Sequence, residues 1–238
     1  MAKDDSAEVE IFLYDQIVSS EEEAEWWGGV APESFVRAIY GLDKNATIHL
    51  RVNCPGGSVF AARAMEQALR DHKGKVVVHI DGLAASAATF IAMAGDEVVM
   101  AKGALFMIHK AWTGMWGNAE DLRKEADLLD KIDGTLTDTY AEKTGKSVED
   151  IAAWMAAETW FTSQEALDAG FADSIAESAP KAQAGAWNLS AYENAPTATS
   201  PEPVATPEPV ASDPPLATDE HRARQQQRLN VLARISHQ

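Results

Sequence analysis

The sequence has a single cysteine, Cys54, among its 238 residues. One cysteine excludes an intrachain disulfide and a zinc site built from several cysteines, and it is typical of a reducing compartment. Long apolar runs are also missing, because no uncharged stretch reaches the roughly 20 residues that a membrane-spanning helix requires. The first five residues, Met-Ala-Lys-Asp-Asp, lack the basic start and apolar core of a signal peptide. We therefore expect a soluble protein of the cytoplasm with no membrane partner.

Basic residues are scarce as well, since 20 Lys and Arg stand against 37 Asp and Glu and the formal net charge is −17. Such an excess of acid disfavours a general nucleic-acid binder, because phosphate backbones attract basic surfaces. The hydrophobic fraction of 46% is ordinary for a globular protein. The length allows one large domain or two smaller ones. We expect a folded protein with no nucleic-acid partner.

Two strand–turn–helix units follow one another in the first half of the chain. Residues 47–53 alternate as a strand, a Cys-Pro-Gly-Gly-Ser turn follows, and residues 59–71 are helical. Residues 76–81 predict a second strand, then a glycine-containing turn, then an apolar helix that begins near Ser86. Successive units of this kind imply parallel strands joined by right-handed crossovers. The sequence therefore predicts the α/β class, with further strands at 8–15, 97–101 and 105–109.

The segment 19–29 is acidic and carries two adjacent tryptophans, Trp26 and Trp27. We predict a loop here. Adjacent side chains on a regular helix point in different directions, so one tryptophan is expected to pack and the other to lie at an edge or at a subunit contact. A simple loop anchor is the alternative.

The longest helical pattern covers residues 119–143, where apolar residues recur at helical spacing between charged ones. A helix of about 25 residues is roughly 37 Å long. This length exceeds what a compact domain of this size needs. We therefore expect the helix to protrude and to dock on another subunit, which predicts a homo-oligomer.

The composition changes after about residue 178. Seven prolines lie among Ala, Thr, Ser and Glu at positions 196–215, and such a segment predicts an extended, disordered linker. Residues 219–238 are basic and prone to form a helix; a frayed tail and a docking peptide for a partner both remain open. The predicted organisation is a tail at 1–7, a folded domain at 8–177, a linker at 178–218 and the basic end at 219–238.

Ser86 is the first candidate for chemistry, because it stands among small residues between a strand and a helix. At such a position a serine is tethered to rigid elements beside free backbone N–H groups. The alternative is a helix N-cap or a small packing residue. The glycines of the Cys54–Gly57 turn allow backbone N–H groups to approach a ligand. An oxyanion hole needs about two such donors, and the N–H groups of Gly57 and Ala87 are the natural pair.

His109 ends an apolar strand beside a loop rich in glycine and tryptophan. It is the candidate general base, and a packed histidine at a strand end is the alternative. An acidic residue that orients the imidazole would complete the set. Glu158 is the candidate for this role, with a solvated carboxylate as the alternative.

Four motifs in order resemble the Clp protease proteolytic-subunit family over roughly residues 8–177. They are Asn-Cys-Pro-Gly-Gly at 53–57, Gly-Leu-Ala-Ala-Ser-Ala-Ala at 82–88, Met-Ile-His at 107–109 and Phe-Thr-Ser-Gln-Glu-Ala-Leu-Asp-Ala-Gly-Phe at 161–171. The resemblance implies a crotonase-like spiral of βαβ units with a protruding handle helix. It also implies a serine endopeptidase that assembles into rings and needs no metal or other cofactor.

Position by position, the resemblance places Ser86 on the nucleophile, His109 on the general base, and Gly57 and Ala87 on the oxyanion donors. Glu158 falls where the family usually has aspartate. Cys54 stands where serine is usual, and Lys-Ala at 110–111 replaces Gln-Pro.

The departures and the proline-rich tail are similar to the Clp-like proteases of phage and prophage head-gene clusters. That branch processes capsid, scaffold or portal proteins inside a prohead, so the location would be the host cytoplasm or the prohead interior. One alternative is a general Clp proteolytic subunit that works with an ATPase unfoldase. Two others are a crotonase-type acyl-CoA enzyme and a non-catalytic scaffold for capsid assembly with the same fold.

Overall fold

The computed structural model describes residues 7–177, 187 and 189–196. The predicted basic end and most of the predicted linker lie outside these residues. Within them the chain forms the following strands and helices, in order: β1 (Glu8–Leu13), α1 (Glu21–Trp27), α2 (Pro32–Tyr40), β2 (Thr47–Cys54), α3 (Val59–Asp71), β3 (Val76–Ala85), α4 (Ala87–Ala92), β4 (Glu97–Ala101), β5 (Leu105–Ile108), α5 (Ala119–Thr144), α6 (Val148–Ala156), β6 (Thr159–Thr162), α7 (Ser163–Ala169) and β7 (Ser174–Ala176).

The sheet is mostly parallel. Strands β1, β2, β3, β4 and β7 lie side by side in that order, and each neighbouring pair is parallel. Strand β5 leaves this path, because it pairs in parallel with the end of β3 and antiparallel with β6. The predicted α/β class with parallel strands is therefore confirmed. None of the helices in the described part of the chain is long and apolar enough to cross a bilayer.

Strand β3 is longer than predicted. The expected glycine-containing turn after residue 81 is wrong, because the strand continues through Gly82 to Ala85. Its last three residues find a new partner, since Leu83, Ala84 and Ala85 pair with β5. This pairing overrides the turn tendency of Gly82, because the context of a strand decides more than the preference of one residue. As a result the strand ends immediately before Ser86.

The acidic segment after β1 forms helix α1, and the prediction of a loop is wrong. The side chain of Ser20 accepts a hydrogen bond from the backbone N–H of Glu23 and caps the helix. Three glutamates follow in the first turn, where the helix dipole favours negative charge. Trp26 and Trp27 are 70% and 64% exposed, contrary to the expectation that one of them is packed.

Helix α5 has 26 residues and is about 39 Å long. It begins at the capping box of Asn118 and ends at Gly145, whose φ is 68°. Its buried residues, Leu136, Thr137 and Tyr140, all lie in the C-terminal half. The N-terminal half carries exposed apolar side chains instead. The helix is thus where it was predicted, and its docking on another subunit stays a prediction.

A charged cluster connects α3 to α4 and α5. Glu66 is 5% exposed, and its carboxylate pairs with Arg63 at 2.6 Å and with Arg70 at 2.9 Å. The Arg63 guanidinium lies over the ring of Phe90 in α4, 4.6 Å from its centroid. It also donates a hydrogen bond to Thr139 of α5. The cluster therefore holds three helices together around one buried carboxylate.

Replacing Glu66 tests this cluster. Glu66→Ala leaves two arginines without their shared anion, and because both arginines are partly exposed we expect the free energy of unfolding to fall by about 2 kcal/mol. Urea unfolding at matched protein concentrations measures the change. Lys124→Ala is the control, since it removes an exposed ion pair with Glu120 and should cost less than about 1 kcal/mol. Equal losses in the two variants would contradict the role given to Glu66.

Candidate active site

Ser86 lies at a sharp elbow between β3 and α4. Its φ is 53° and its ψ is −124°, a conformation that costs a non-glycine residue about 1–3 kcal/mol. Neighbouring hydrogen bonds hold it there, since its N–H donates to the carbonyl oxygen of Met107 and its own carbonyl oxygen accepts from Thr89. Thr89 in turn shares a hydrogen bond with Tyr140 of α5. The elbow is therefore fixed by a strand on one side and by two helices on the other.

The side chain of Ser86 does not cap α4. Its Oγ lies 2.7 Å from Nε2 of His109. The sheet register explains this proximity, because Ala85 of β3 is paired with Met107 of the parallel strand β5. The carboxyl ends of the two strands therefore meet, and the residues that follow them come together. The structure thus brings the two residues chosen from the sequence into direct hydrogen-bond contact.

Burial lowers the pKa of His109 below its usual value of 6.5, and the negative charge of Glu158 acts in the opposite direction. The imidazole is therefore neutral at neutral pH. A neutral imidazole with one nitrogen on a hydroxyl group can accept the proton of that hydroxyl.

Glu158 is positioned by the antiparallel pairing of β5 and β6. Ile108, the last residue of β5, is paired with Thr159, the first residue of β6, so His109 and Glu158 are the residues next to this pair, and the charge of Glu158 acts on His109. Glu158 also has a positive φ, 47°. Its carboxylate accepts hydrogen bonds from Trp160 and from the backbone N–H groups of residues 193 and 194. The acid thus lies beside His109, while its described hydrogen bonds go to other groups.

The glycine turn after β2 approaches Ser86 from the other side. A Cβ on Gly56 would lie 2.7 Å from Cβ of Ser86 and 3.1 Å from the backbone nitrogen of Ala87. Gly57 has a φ of 143°, and a Cβ there would lie 2.0 Å from the carbonyl oxygen of Ile17. Both positions therefore require glycine. The turn is held by Ile17, whose N–H donates to the carbonyl oxygen of Gly56 and whose carbonyl oxygen accepts from the N–H of Ser58. The N–H of Gly57 takes part in neither of these two hydrogen bonds.

Cys54 supports this turn. It is completely buried, and its Sγ accepts a hydrogen bond from the N–H of Gly56 at 3.4 Å. Burial raises the pKa of the thiol to about 12. Because a protonated thiol is a poor nucleophile, Cys54 contributes to the shape of the site and not to its reactivity.

The residues that cover the site were not predicted from the sequence. Trp187, Tyr192 and Asn194 lie in the stretch predicted as linker, yet they contact Asn53, Pro55 and the Glu158 region. A signal was present, because Trp-Asn-Leu-Ser-Ala-Tyr at 187–192 is richer in large apolar residues than the proline-rich stretch that follows. The boundary predicted at residue 178 stays a prediction, since residues 178–186 lie outside the described part.

The described residues contain no group of three or more His, Cys, Asp or Glu that could hold a metal ion. They do contain a strained serine, a neutral histidine in hydrogen-bond contact with it, a carboxylate whose charge acts on that histidine and a glycine turn. This is the arrangement that acyl-transfer enzymes of the serine hydrolase class use.

Comparison with known proteins agrees with that class. A family model described as Clp protease matches residues 11–179. The ATP-dependent Clp protease proteolytic subunit 1 of Leifsonia xyli is 34% identical over 139 residues, which are 58% of this chain and 71% of the relative. The ATP-dependent Clp protease proteolytic subunit of Streptococcus pneumoniae is 36% identical over 137 residues, which are 56% of this chain and 70% of the relative.

The chain therefore belongs to the Clp protease family, whose members are serine peptidases. The predicted family is confirmed. The phage head branch, the spiral description and the handle role of α5 stay predictions.

The protonation of His109 can be tested without any assay of activity. Because burial lowers its pKa, an NMR titration should give a midpoint below 6.5. Glu158→Gln removes the charge that raises this pKa, so the midpoint should fall further, while His109→Ala identifies the resonance. A midpoint above 6.5 in the wild-type protein, or a rise in the Gln variant, would contradict the described environment.

Proposed function

We propose that this protein is a serine endopeptidase. The observation that carries the proposal is the 2.7 Å contact between Nε2 of His109 and Oγ of Ser86, made at the ends of two paired strands. A hydroxyl group is a weak nucleophile unless a base takes its proton. The neutral imidazole of His109 is placed to be that base.

In the proposed mechanism Oγ of Ser86 attacks the carbonyl carbon of the peptide bond while Nε2 of His109 takes its proton. The N–H groups of Gly57 and Ala87 stabilise the oxyanion that forms. His109 then gives the proton to the leaving nitrogen as the carbon–nitrogen bond breaks. A water molecule attacks the acyl-enzyme in the same way and restores Ser86. Glu158, which precedes β6 and whose charge acts on His109, is proposed to orient the imidazole and to stabilise its charged form.

Loss of the nucleophile tests the proposal. Ser86→Ala should lower the rate of peptide hydrolysis at least about 1000-fold and should abolish labelling by a fluorophosphonate probe, as measured by mass spectrometry. The matched control is Ser34→Ala, because Ser34 lies in α2 and donates to the carbonyl oxygen of Ala31. Unchanged hydrolysis by Ser86→Ala would overturn the proposal. An acyl-CoA enzyme or a scaffold of this fold has no need of a reactive serine, so labelling also separates those alternatives.

We further propose that the substrates are capsid, scaffold or portal proteins of a prohead, so that the protein acts in a host cytoplasm or inside the prohead. The support is the sequence pattern alone: Cys54, the Lys-Ala pair at 110–111 and the long tail after the family domain. The names of the relatives favour a second candidate, a proteolytic subunit that works with an ATPase. Co-expression of a capsid protein with the wild type or with Ser86→Ala separates them, because only the first candidate cleaves it without an ATPase.

The assembly is proposed to be a homo-oligomeric ring in which α5 serves as the handle. Within one chain, Trp116 is 99% exposed and Leu122 and Leu128 are 47% and 39% exposed. These exposed apolar side chains lie in the loop before α5 and in its first half, and exposed apolar groups concentrated in one segment are typical of protein contacts.

Sedimentation velocity at micromolar concentration tests the assembly. The wild-type protein should sediment as a species larger than a monomer, and Leu122→Asp with Leu128→Asp should shift it towards the monomer, because a buried unpaired charge is costly. Lys102→Asp is the control, since it introduces the same side chain at an exposed turn between β4 and β5. A wild-type monomer would contradict the proposal.

A further inference from the structure

The described residues 187 and 189–194 form a segment that we call the strap. Its central residue is Tyr192, whose ring meets the imidazole of His109 edge to face at 5.3 Å. The Tyr192 hydroxyl donates a hydrogen bond to the carbonyl oxygen of Pro55 at 2.5 Å and interacts with the side chain of Ser86. One side chain of the strap therefore touches the proposed nucleophile, the proposed base and the glycine turn.

The strap has an apolar seat beside the site. Trp187, Leu189 and Tyr192 pack against a cluster formed by Leu83, Ala85 and Met107, together with Leu105 and Trp160. The indole N–H of Trp187 also donates to Oδ1 of Asn53 at 3.2 Å. Asn53 is 3% exposed, and a buried amide oxygen left without a donor is costly. The seat thus uses both apolar contact and a buried polar partner.

The strap also forms hydrogen bonds with Glu158, the proposed acid. The backbone N–H groups of residues 193 and 194 donate to the two carboxylate oxygens of Glu158 at 3.0 and 2.7 Å. The side-chain amide of Asn194 donates to the carbonyl oxygen of Ala157 at 3.0 Å. Hydrogen bonds to a charged acceptor are the strong ones. They hold the carboxylate against the strap, and none of its described hydrogen bonds comes from His109.

We propose that the strap is an intramolecular inhibitor, and that the protein is latent until the strap leaves the cleft; this inference rests on the proposed peptidase function. A substrate carbonyl has to reach Oγ of Ser86 and the N–H groups of Gly57 and Ala87, and the Tyr192 side chain already contacts His109 and Pro55 of the glycine turn there. Substrate and strap therefore exclude each other.

Release of the strap has two consequences under this proposal. The face of Ser86 and the apolar seat become available to an extended peptide. The Glu158 carboxylate loses the two hydrogen bonds from the backbone of residues 193 and 194, and it becomes free to accept a hydrogen bond from His109. Access and orientation of the base are thus controlled by the same segment.

The experiment measures the rate at which a fluorophosphonate labels Ser86 in the full chain. Because the rate scales with the fraction of molecules that are open, Tyr192→Ala should raise it about tenfold or more, and Tyr192→Phe should raise it less. The control is Tyr40→Ala, which makes the same change at a 61% exposed tyrosine of α2 and should leave the rate unchanged.

A second variant avoids any effect of a substitution in the cleft. A recognition sequence for a site-specific protease replaces residues 180–185, and the rate of labelling is compared before and after cutting and removal of the released piece. The uncut protein is its own control, and a faster rate after cutting is expected. If Ser86 is labelled equally fast in the wild type, in Tyr192→Ala and in the cut protein, the strap is not inhibitory and the serine hydrolase proposal stands. If Ser86 is labelled in none of them, both proposals fall.

Discussion

The division of β3 between two partners is the constraint on which the site depends. Its first part pairs with β4 and its last three residues pair with β5, so the sheet bends away from its main path just before Ser86. The parallel pairing brings together the residues that follow β3 and β5, and His109 contacts Ser86, while the antiparallel pairing of β5 with β6 ends next to His109 and Glu158. Backbone pairing thus brings three residues that are far apart in the chain into the same part of the structure.

In the described part of the chain, strained backbone at non-glycine residues occurs only in the candidate active site. Among the described residues, Ser86 and Glu158 are the only non-glycine residues with positive φ. Each such conformation costs about 1–3 kcal/mol and persists only where the surroundings enforce it. The surroundings here are the Met107 carbonyl and the Thr89–Tyr140 pair for Ser86, so the interior of the domain maintains the elbow.

Much of the fold could be predicted from local patterns, because helices such as α3 and α5 carry clear apolar spacing and caps. The continuation of β3 through Gly82 could not, since it depends on pairing with residues more than 20 positions later. Helix α1 was missed because its stability comes from the Ser20 cap and the acidic first turn and not from an apolar face. Ser86 and His109 were predicted from motifs and spacing, and the structure shows them in contact, while their catalytic roles stay a prediction. Tyr192 was not predicted, because nothing in its local sequence indicates which part of the fold it contacts.

The pairing of β5 with β6 determines which distances within the site can change together. His109 follows β5 and Glu158 precedes β6, its partner strand, whereas Ser86 follows β3, which is joined to β5 by three residue pairs. A displacement of β5 and β6 together would change the distance from Nε2 of His109 to Oγ of Ser86 more than the distance from His109 to Glu158. The proposed acid and base therefore lie at the ends of one strand pair, whereas the distance between the proposed base and the proposed nucleophile is set across the pairing of β3 with β5.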